Sequence, residues 1–309
     1  MNLVVDKYRG KIQEVRIGSK KPVVVGGDMG LPFLHFEAVS QHRPAVALEI
    51  TDRKPDWPLL LLDRLRITSD PVAWAKSSED RGADVVCLRM VQSGDDAVDP
   101  GERIATVGRV LDALEAPLMV VGTGDRDHDN AVLPLVAREF AGSRLLLGPV
   151  TQENYEPIVR ACVEHGHSVI AQSPIDINIC KQLNILVSDA GLPLDRIVID
   201  PTTGALGYGI EYTYSIMEKA RLAALSGDRL LACPQVCFVG QETWKLKETV
   251  SIEPEIQAWG DVHRRGTVWE AAASAALLVA GAHILVIRDP EALALVRRHT
   301  GILGQWDGV

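Results

Sequence analysis

Eight short runs of apolar and β-branched residues recur along the chain, separated by polar or amphipathic segments. Most of these runs are continuously apolar rather than alternating, which is typical of parallel strands that are covered on both faces. The predicted strands cover residues 45–50, 84–88, 117–121, 144–147, 168–171, 196–199, 230–236 and 283–287.

A helical pattern follows each predicted strand. Between residues 100 and 114, for example, Ile104, Val107, Leu111 and Leu114 recur at spacings of three and four, which places them on one helix face. The predicted helices cover residues 71–81, 100–114, 130–140, 152–165, 178–190, 211–225, 267–280 and 290–299.

Eight strands that alternate with eight helices predict an α/β fold of the (β/α)8 TIM-barrel type. Two further β-type runs, 11–17 and 22–25, predict an N-terminal β-hairpin that plugs the closed end of the barrel. We expect one TIM-barrel domain over residues 1–309, with the hairpin extension at 1–40 and the barrel at 45–300. An open doubly wound sheet would leave the hairpin and the eighth unit unexplained.

Charge and cysteine content narrow the classes of partner. The 309 residues contain 32 Lys and Arg against 41 Asp and Glu, a net charge of −9. An acidic chain without a basic stripe argues against nucleic acid or an anionic membrane as the main partner. No signal peptide or transmembrane segment is recognisable, so we expect a cytoplasmic protein whose five cysteines are reduced.

In barrels of this type, function resides in the loops that follow the carboxyl ends of the strands. The sixth loop, residues 200–209, contains three Gly and two Thr, and its backbone N–H groups can approach a ligand closely. A turn-rich loop without a ligand explains the same composition equally well. The candidate residues in this loop are Thr202, Thr203, Gly204, Leu206, Gly207 and Tyr208.

Polar side chains at other strand ends are further candidates. Asp200 ends its strand, where a carboxylate can act in acid–base chemistry or accept ring N–H groups. For Asp176 we favour helix capping over ligand binding. Neutral groups able to bind amides or carbonyls of a large ligand follow the fourth and fifth strands, with turn formation as the competing explanation. They are Asn154, Gln172, Ser173 and Asn178.

Signals for a metal or a nucleophile are weak. His165 and His167 lie at the bottom of the barrel, and the Asp-His-Asp run at 127–129 lacks a second histidine at helical spacing. We interpret Cys233 and Cys237 as core thiols that point inward from a strand. We therefore predict no metal site and no catalytic residue in this chain.

The segment 243–260 combines Trp244 and Trp259 with lysines and glutamates. Tryptophan rimmed by charge is typical of a contact surface. A lid that folds back over the barrel mouth explains the pattern equally well.

Several long motifs resemble one known family. The longest are SPIDINICKQLNIL at 173–186 and DPTTGALGYGIEY at 200–212. VGGD at 25–28, LPF at 31–33, FE at 36–37, QENY at 152–155 and GAHIL at 281–285 match as well. The family is the small subunit of the corrinoid iron–sulfur protein, called the delta subunit of the acetyl-CoA decarbonylase/synthase complex in archaea.

The resemblance implies a TIM barrel that pairs with a large subunit, which holds the iron–sulfur cluster and the cobamide. The barrel mouth of the small subunit then faces the corrin at the interface. Together the subunits carry a methyl group from a methyltetrahydropterin-dependent methyltransferase to acetyl-CoA synthase/CO dehydrogenase in the reductive acetyl-CoA (Wood–Ljungdahl) pathway of carbon fixation, while cobalt cycles between Co(I) and methyl-Co(III). This chain lacks a four-cysteine cluster motif and an Asp-x-His-x-x-Gly cobamide motif, so we expect no iron–sulfur cluster in it.

Three functions compete. The first is a non-catalytic subunit that caps the cobamide with an apolar, amide-rich rim provided by Leu206, Tyr208, Gln172 and Asn154. The second is a corrinoid methyltransferase that binds methyltetrahydropterin itself through Asp125, Asn154 and Asp200. The third is a barrel lyase or aldolase, which the absence of lysine from the eight strand runs disfavours.

Overall fold

The computed structural model describes residues 5–65, 70–92, 99–254 and 258–304. Within these ranges the chain forms an antiparallel pair of strands followed by eight parallel strands. The antiparallel pair is β1 (Val15–Ile17) and β2 (Val23–Val25). The parallel strands are β3 (Ala45–Thr51), β4 (Val85–Arg89), β5 (Leu118–Val121), β6 (Leu146–Val150), β7 (Ser168–Gln172), β8 (Ile197–Asp200), β9 (Val236–Cys237) and β10 (Ile284–Ile287).

Helices connect the parallel strands. Those with two turns or more are α2 (Pro71–Asp80), α3 (Pro100–Ala113), α4 (Arg126–Glu139), α5 (Tyr155–His165), α6 (Ile177–Asp189), α7 (Ile210–Leu225), α10 (Val262–Ala280) and α11 (Pro290–Gly304). Shorter helices are α1 (Leu59–Leu65), α8 (Val239–Thr243) and α9 (Lys247–Val250). In the described ranges, none of the helices is long and apolar enough to cross a bilayer.

The eight parallel strands form a nearly closed barrel, as the alternation of strands and helices predicts. Their order is β8-β7-β6-β5-β4-β3-β10-β9, with every pair parallel. A bridge between Ile199 and Gln235 joins the first and last strands, and the Ile199 N–H donates to the Pro234 carbonyl at 2.8 Å. The fold is therefore the predicted (β/α)8 barrel with an N-terminal hairpin.

The seventh barrel strand is much shorter than predicted. Only Val236–Cys237 pairs as β9, whereas we expected a strand over 230–236. Turn hydrogen bonds from the Leu231 and Ala232 N–H groups occupy the first part of this run, and Pro234 has no N–H to donate. Cys237 also departs from the prediction, because its thiol contacts Met217 of α7 in the helix layer rather than pointing into the barrel.

All five cysteines are free and buried. Burial raises the pKa of the Cys162 thiol and of the Cys180 thiol to about 12. These groups are therefore held as neutral thiols in the core.

The N-terminal hairpin closes the amino-terminal end of the barrel. Val15, Ile17 and Val25 are fully buried and pack against the inward-facing side chains of the barrel strands. Between them, Arg16 points to solvent, as the period-2 alternation of a half-buried strand requires. The hairpin therefore acts as a plug, as predicted.

A buried ion cluster fixes the segment that follows the hairpin. Asp28 Oδ2 lies 2.8 Å from Nε2 of His283 and 3.2 Å from Arg221. Burial alone would raise the pKa of Asp28, but His283 and Arg221 outweigh it and hold this pKa well below its usual value. Since His283 and Arg221 belong to the barrel, the cluster ties the N-terminal segment to the barrel floor.

We predict that Ile17→Ala destabilises the protein by about 2–5 kcal/mol, because it removes a fully buried side chain from the plug and leaves a cavity. Chemical denaturation followed by circular dichroism measures the change. Arg16→Ala, one residue away on the exposed face, is the matched control and should change the stability by less than about 0.5 kcal/mol. Equal effects of the two substitutions would show that the hairpin is not part of the core.

Candidate functional site

Among the described residues, two cavities with different linings lie at the carboxyl ends of the barrel strands. The first, of about 350 Å³, lies at the ends of β6, β7 and β8, and we call it the amide half. The second, of about 680 Å³, lies at the ends of β3, β4 and β10, and we call it the arginine half. The amide half is lined by Thr151, Gln152, Glu153, Gln172, Pro174, Ile179 and Thr202.

Asp200 forms the floor beside the amide half. Its Oδ2 accepts a hydrogen bond from Gln172 Nε2 at 2.7 Å, and its Oδ1 accepts one from the Thr202 N–H at 2.9 Å. Burial raises the pKa of Asp200 to about 6, although these two donors and the nearby Arg89 favour the charged form. Asp200 is therefore close to changing its charge near neutral pH.

The loops of the amide half contain strained backbone. Thr202 has φ +64° and Ile175 has φ +33°, values that β-branched residues rarely adopt. Hydrogen bonds over-determine the conformation of Thr202, because its N–H donates to Asp200 and its Oγ1 donates to the Ser173 carbonyl at 2.6 Å. Strain of this kind is concentrated at ligand sites in proteins.

Several predicted site residues shape the loops through their side chains or backbone. Asp176 caps α6 by accepting hydrogen bonds from the Asn178 and Ile179 N–H groups at 2.7 and 3.1 Å, as we favoured. Asn154 Oδ1 accepts from the Thr151 N–H at 2.6 Å and so closes its own turn. These polar groups therefore hold the mouth in shape.

Hydrogen bonds also hold the first part of the sixth loop in shape. Thr203 Oγ1 accepts from the Phe238 N–H at 2.9 Å, which joins this loop to the strand end of β9. The Gly204 N–H donates to Thr213 Oγ1 at 2.7 Å, and a Cβ at Gly204 would lie 2.4 Å from the Gly209 carbonyl oxygen. Ser173 is fully buried, so its contribution to the mouth is through its backbone.

Other predicted residues face solvent. Tyr208 is 61% exposed, and its hydroxyl donates to Glu248 of α9, which links the sixth and seventh loops. Asn178 and Gly207 are exposed, and Gly207 has φ +86°. Leu206 instead packs beside α10 and lines a third cavity with Trp259 and Trp269. The structure thus brings Gln172, Asp200 and Thr202 together but places Leu206 elsewhere.

The arginine half contains functional groups that the sequence analysis missed. Glu49, at the end of β3, is fully buried, and its Oε1 accepts from Arg288 Nε at 3.0 Å and from Arg288 Nη2 at 2.7 Å. Its Oε2 accepts from Arg89 Nη2 at 3.2 Å. Burial alone would raise the pKa of Glu49, but the two arginines outweigh it and lower this pKa. One carboxylate is thus shared by two guanidinium groups.

Aromatic rings flank both guanidinium groups. Arg288 lies over the ring of Trp57 at 4.3 Å from its centroid, and Arg89 lies over Phe238 at 5.1 Å. The sequence did contain a signal for this cluster: Glu49 interrupts an apolar strand run, and Arg89 and Arg288 directly follow two others. A charge inside a buried strand needs a partner on a neighbouring strand.

The two tryptophans of the seventh loop have different environments, and the choice between a contact surface and a lid stays open. Trp244 is buried against Gly266, and its Nε1 donates to Glu270 at 3.2 Å, so this tryptophan is internal. Burial and the Asp289 carboxylate raise the pKa of Glu270 to about 8. Trp259 is 52% exposed and stacks on Trp269 with ring centroids 5.2 Å apart, so it remains on the surface.

The weak metal candidates have structural partners. His167 is buried, accepts from the Leu145 N–H at 3.0 Å and contacts the Ala137 carbonyl at 2.9 Å. Asp129 accepts from the N–H groups of Thr123 and Gly124 at 2.8 and 2.9 Å. Among the residues that the structure describes, no three His, Cys, Asp or Glu side chains are grouped as metal ligands.

Curated relatives match almost the whole chain. Subunit delta of the acetyl-CoA decarbonylase/synthase complex of Archaeoglobus fulgidus is 32% identical over 97% of this chain and 70% of its own length. The corresponding subunit of Methanopyrus kandleri is 34% identical over 93% of this chain and 74% of its own length. Subunit delta 1 of Methanosarcina thermophila is 30% identical over 97% of this chain and 72% of its own length.

Solved structures with the same fold include dihydropteroate synthases. The enzyme of Xanthomonas albilineans, in complex with indole-2-carboxylic acid and 6-chloroguanine, aligns with a TM-score of 0.59 over 94% of this chain and 98% of its own. The enzyme of Thermus thermophilus in complex with 4-aminobenzoate aligns with a TM-score of 0.57 over 94% and 99%. At sequence identities of 15% and 16%, these structural alignments show a shared barrel fold and nothing about ligands.

The match to a whole family is equally broad. A model of the CO dehydrogenase/acetyl-CoA synthase delta subunit covers residues 14–297, from the hairpin to the last helix. Both the resemblance of the motifs and the barrel fold agree with this match. The chain therefore belongs to the CO dehydrogenase/acetyl-CoA synthase delta subunit family.

Proposed function

We propose that this chain is the small subunit of a heterodimeric corrinoid iron–sulfur methyl carrier, and that its mouth covers a cobamide held by the large subunit. In this role the complex carries a methyl group from a methyltetrahydropterin-dependent methyltransferase to acetyl-CoA synthase/CO dehydrogenase. Membership of the delta subunit family supports the assignment to the complex. The observation that carries the capping role is the strained, hydrogen-bonded amide half.

The donor set of the amide half fits the edge of a corrin. A corrin is a large ring with apolar faces and carboxamide side chains, which pair with amides and hydroxyls rather than with charges. Gln172 and Thr202 offer such groups, and Ile175, in the same loop as the lining residue Pro174, adds exposed apolar surface. Among the described lining residues, Glu153 is the single carboxylate, and it lies at the solvent side. When bound, the cobamide would supply a cobalt that accepts and releases the methyl group.

The residues of this chain would position the cofactor and exclude water. The side-chain amide N–H of Gln172 donates to Asp200, and this hydrogen bond fixes the orientation of the Gln172 amide oxygen. Asp200 is only 1% exposed even with the mouth uncovered, and this burial already favours its neutral form. A neutral floor suits an apolar ring.

The competing role, methyltetrahydropterin binding, rests on Asp125, Asn154 and Asp200. Asp125 caps α4 by accepting from the His128 N–H at 2.8 Å, and Asn154 closes its own turn. Two of the three candidate groups are thus engaged within their own loops. We therefore assign this chain a positioning and shielding role and no bond-making residue.

We predict that Ile175→Glu weakens the capping, because it places a charge at a rim position that the corrin would desolvate. The heterodimer reconstituted with the large subunit is reduced, and the rate of cobamide reoxidation by oxygen is followed by absorbance. The reoxidation rate should rise about tenfold, which corresponds to a fall of about 1.4 kcal/mol in its activation free energy. Ile302→Glu, at an exposed position of α11 away from the mouth, is the matched control and should leave the rate unchanged.

Two results would contradict the capping role. One is a reoxidation rate that does not depend on the small subunit. The other is tight binding of methyltetrahydropterin to the isolated chain that is lost in Asp200→Asn, which would favour a methyltransferase.

Asp200 also gives a pH-dependent prediction. The pKa is about 6 in the folded chain against 3.8 for the ordinary group, so the folded state retains a proton that the unfolded state releases. The contribution of protonated Asp200 to the free energy of unfolding is greatest below pH 4. This contribution falls by about 3 kcal/mol as the pH rises to 6. Asp200→Asn should remove this dependence of the free energy of unfolding on pH. The variant should still fold, because Gln172 can turn its amide to pair with the new side chain.

Urea denaturation of both proteins between pH 3.5 and 7 measures this difference. Other groups titrate in both proteins and cancel in the difference between their free energies of unfolding. A difference that stays flat across this range would show that Asp200 does not retain its proton.

A further inference from the structure

We propose that the arginine half is a second, separate binding site for a small anionic ligand, with a carboxylate or phosphate on Arg89 and Arg288 and a flat apolar part against Trp57. None of its described lining residues also lines the amide half. The site therefore stands independently of the proposed cobamide contact.

Hydrogen bonding within the described chain leaves part of the Arg89 guanidinium unpaired. Arg288 directs two N–H groups to one oxygen of Glu49, and Arg89 reaches the other oxygen through a single N–H at 3.2 Å. Arg89 Nε is buried and lacks a hydrogen-bond partner in the described part of the chain. A planar guanidinium with unused donors is suited to a bidentate carboxylate or phosphate.

The charges around the cavity favour an anion over a cation. Arg89, Arg288 and Lys245 line it, whereas Asp56 is the acidic residue among the described lining residues and is exposed at the rim. Glu49 lies behind the two arginines and is fully used by them.

Two further carboxylates lie close by. Glu242 is paired with Lys245 at 2.7 Å. Asp200 acts on Arg89 from across the mouth, but within the described residues no ion pair joins the two. The inner guanidinium groups therefore face the cavity with one shared counter-charge.

The walls fit a flat ring. The cavity volume of about 680 Å³ lies in the range of small-molecule sites. Trp57 contacts Arg288 on one side and packs edge-on against Trp74 with ring centroids 5.5 Å apart, so its position is fixed. Met90 adds buried apolar lining, and Leu59, which is 74% exposed, extends the lining toward solvent.

The cationic floor is also held in place. The backbone N–H groups of Arg288 and Asp289 donate to Glu270 at 2.6 and 3.1 Å. The strand end that carries Arg288 is thus fixed by α10 before any ligand arrives. Such preorganisation lowers the entropic cost of binding.

Calorimetry on the full chain tests the site with benzoate, its neutral analogue benzamide and inorganic phosphate as probes. We expect benzoate to bind, phosphate to compete with it, and benzamide to bind at least about tenfold more weakly because it lacks the charge. Arg89→Lys keeps the charge but loses the planar fork, and should weaken benzoate binding about tenfold. Lys245→Gln, a change at an exposed position that leaves the core intact, should weaken it about threefold.

Arg264→Lys, at an exposed position of α10, is the matched control and should bind benzoate as the parent does. Equal binding of benzoate and benzamide, or equal loss in Arg264→Lys and Arg89→Lys, would overturn the site. Ile175→Glu should retain benzoate binding, so a failure of the capping role and a failure of this site give different results.

Discussion

The buried carboxylate of Glu49 is the interaction on which the mouth of the barrel depends. β3 lies between β4 and β10 in the sheet, and Glu49 joins the ends of all three through Arg89 and Arg288. Removal of one member of such a buried group leaves an uncompensated charge, at a cost of about 3–5 kcal/mol. The same contacts set the positions of Trp57 and Phe238, and so the shape of one half of the mouth.

Much of the fold follows from pattern alone, because most of the buried parallel strands are apolar runs and several Gly and Pro residues mark the ends of elements. The exceptions have local causes. α4 begins at Arg126, four residues before the predicted start, because Asp125 caps it. α10 begins at Val262 for the same reason, with Asp261 as the cap. β9 is short because turn hydrogen bonds and Pro234 occupy the run before it.

The site was less predictable, because its chemistry arises between strands. The sequence shows that Gln172 and Asp200 end neighbouring strands, but their 2.7 Å hydrogen bond depends on the register of β7 and β8. Composition could not separate Thr202, which lines a cavity, from Thr203, which holds the Phe238 N–H. The arginine half could not be found from spacing, because its residues are far apart in the sequence. Glu49 and Arg89 are more than thirty residues apart, and Glu49 and Arg288 lie at opposite ends of the barrel sequence.

The hairpin plug has a consequence for the order of events at the mouth. Val15, Ile17 and Val25 fill the lower end of the barrel, and the inward-facing strand residues fill its middle. No through-passage is left between the two ends in the described chain, so whatever enters the barrel must depart by the same opening. In the capping role proposed above, the proteins that donate and accept the methyl group would therefore have to reach this single opening one after the other.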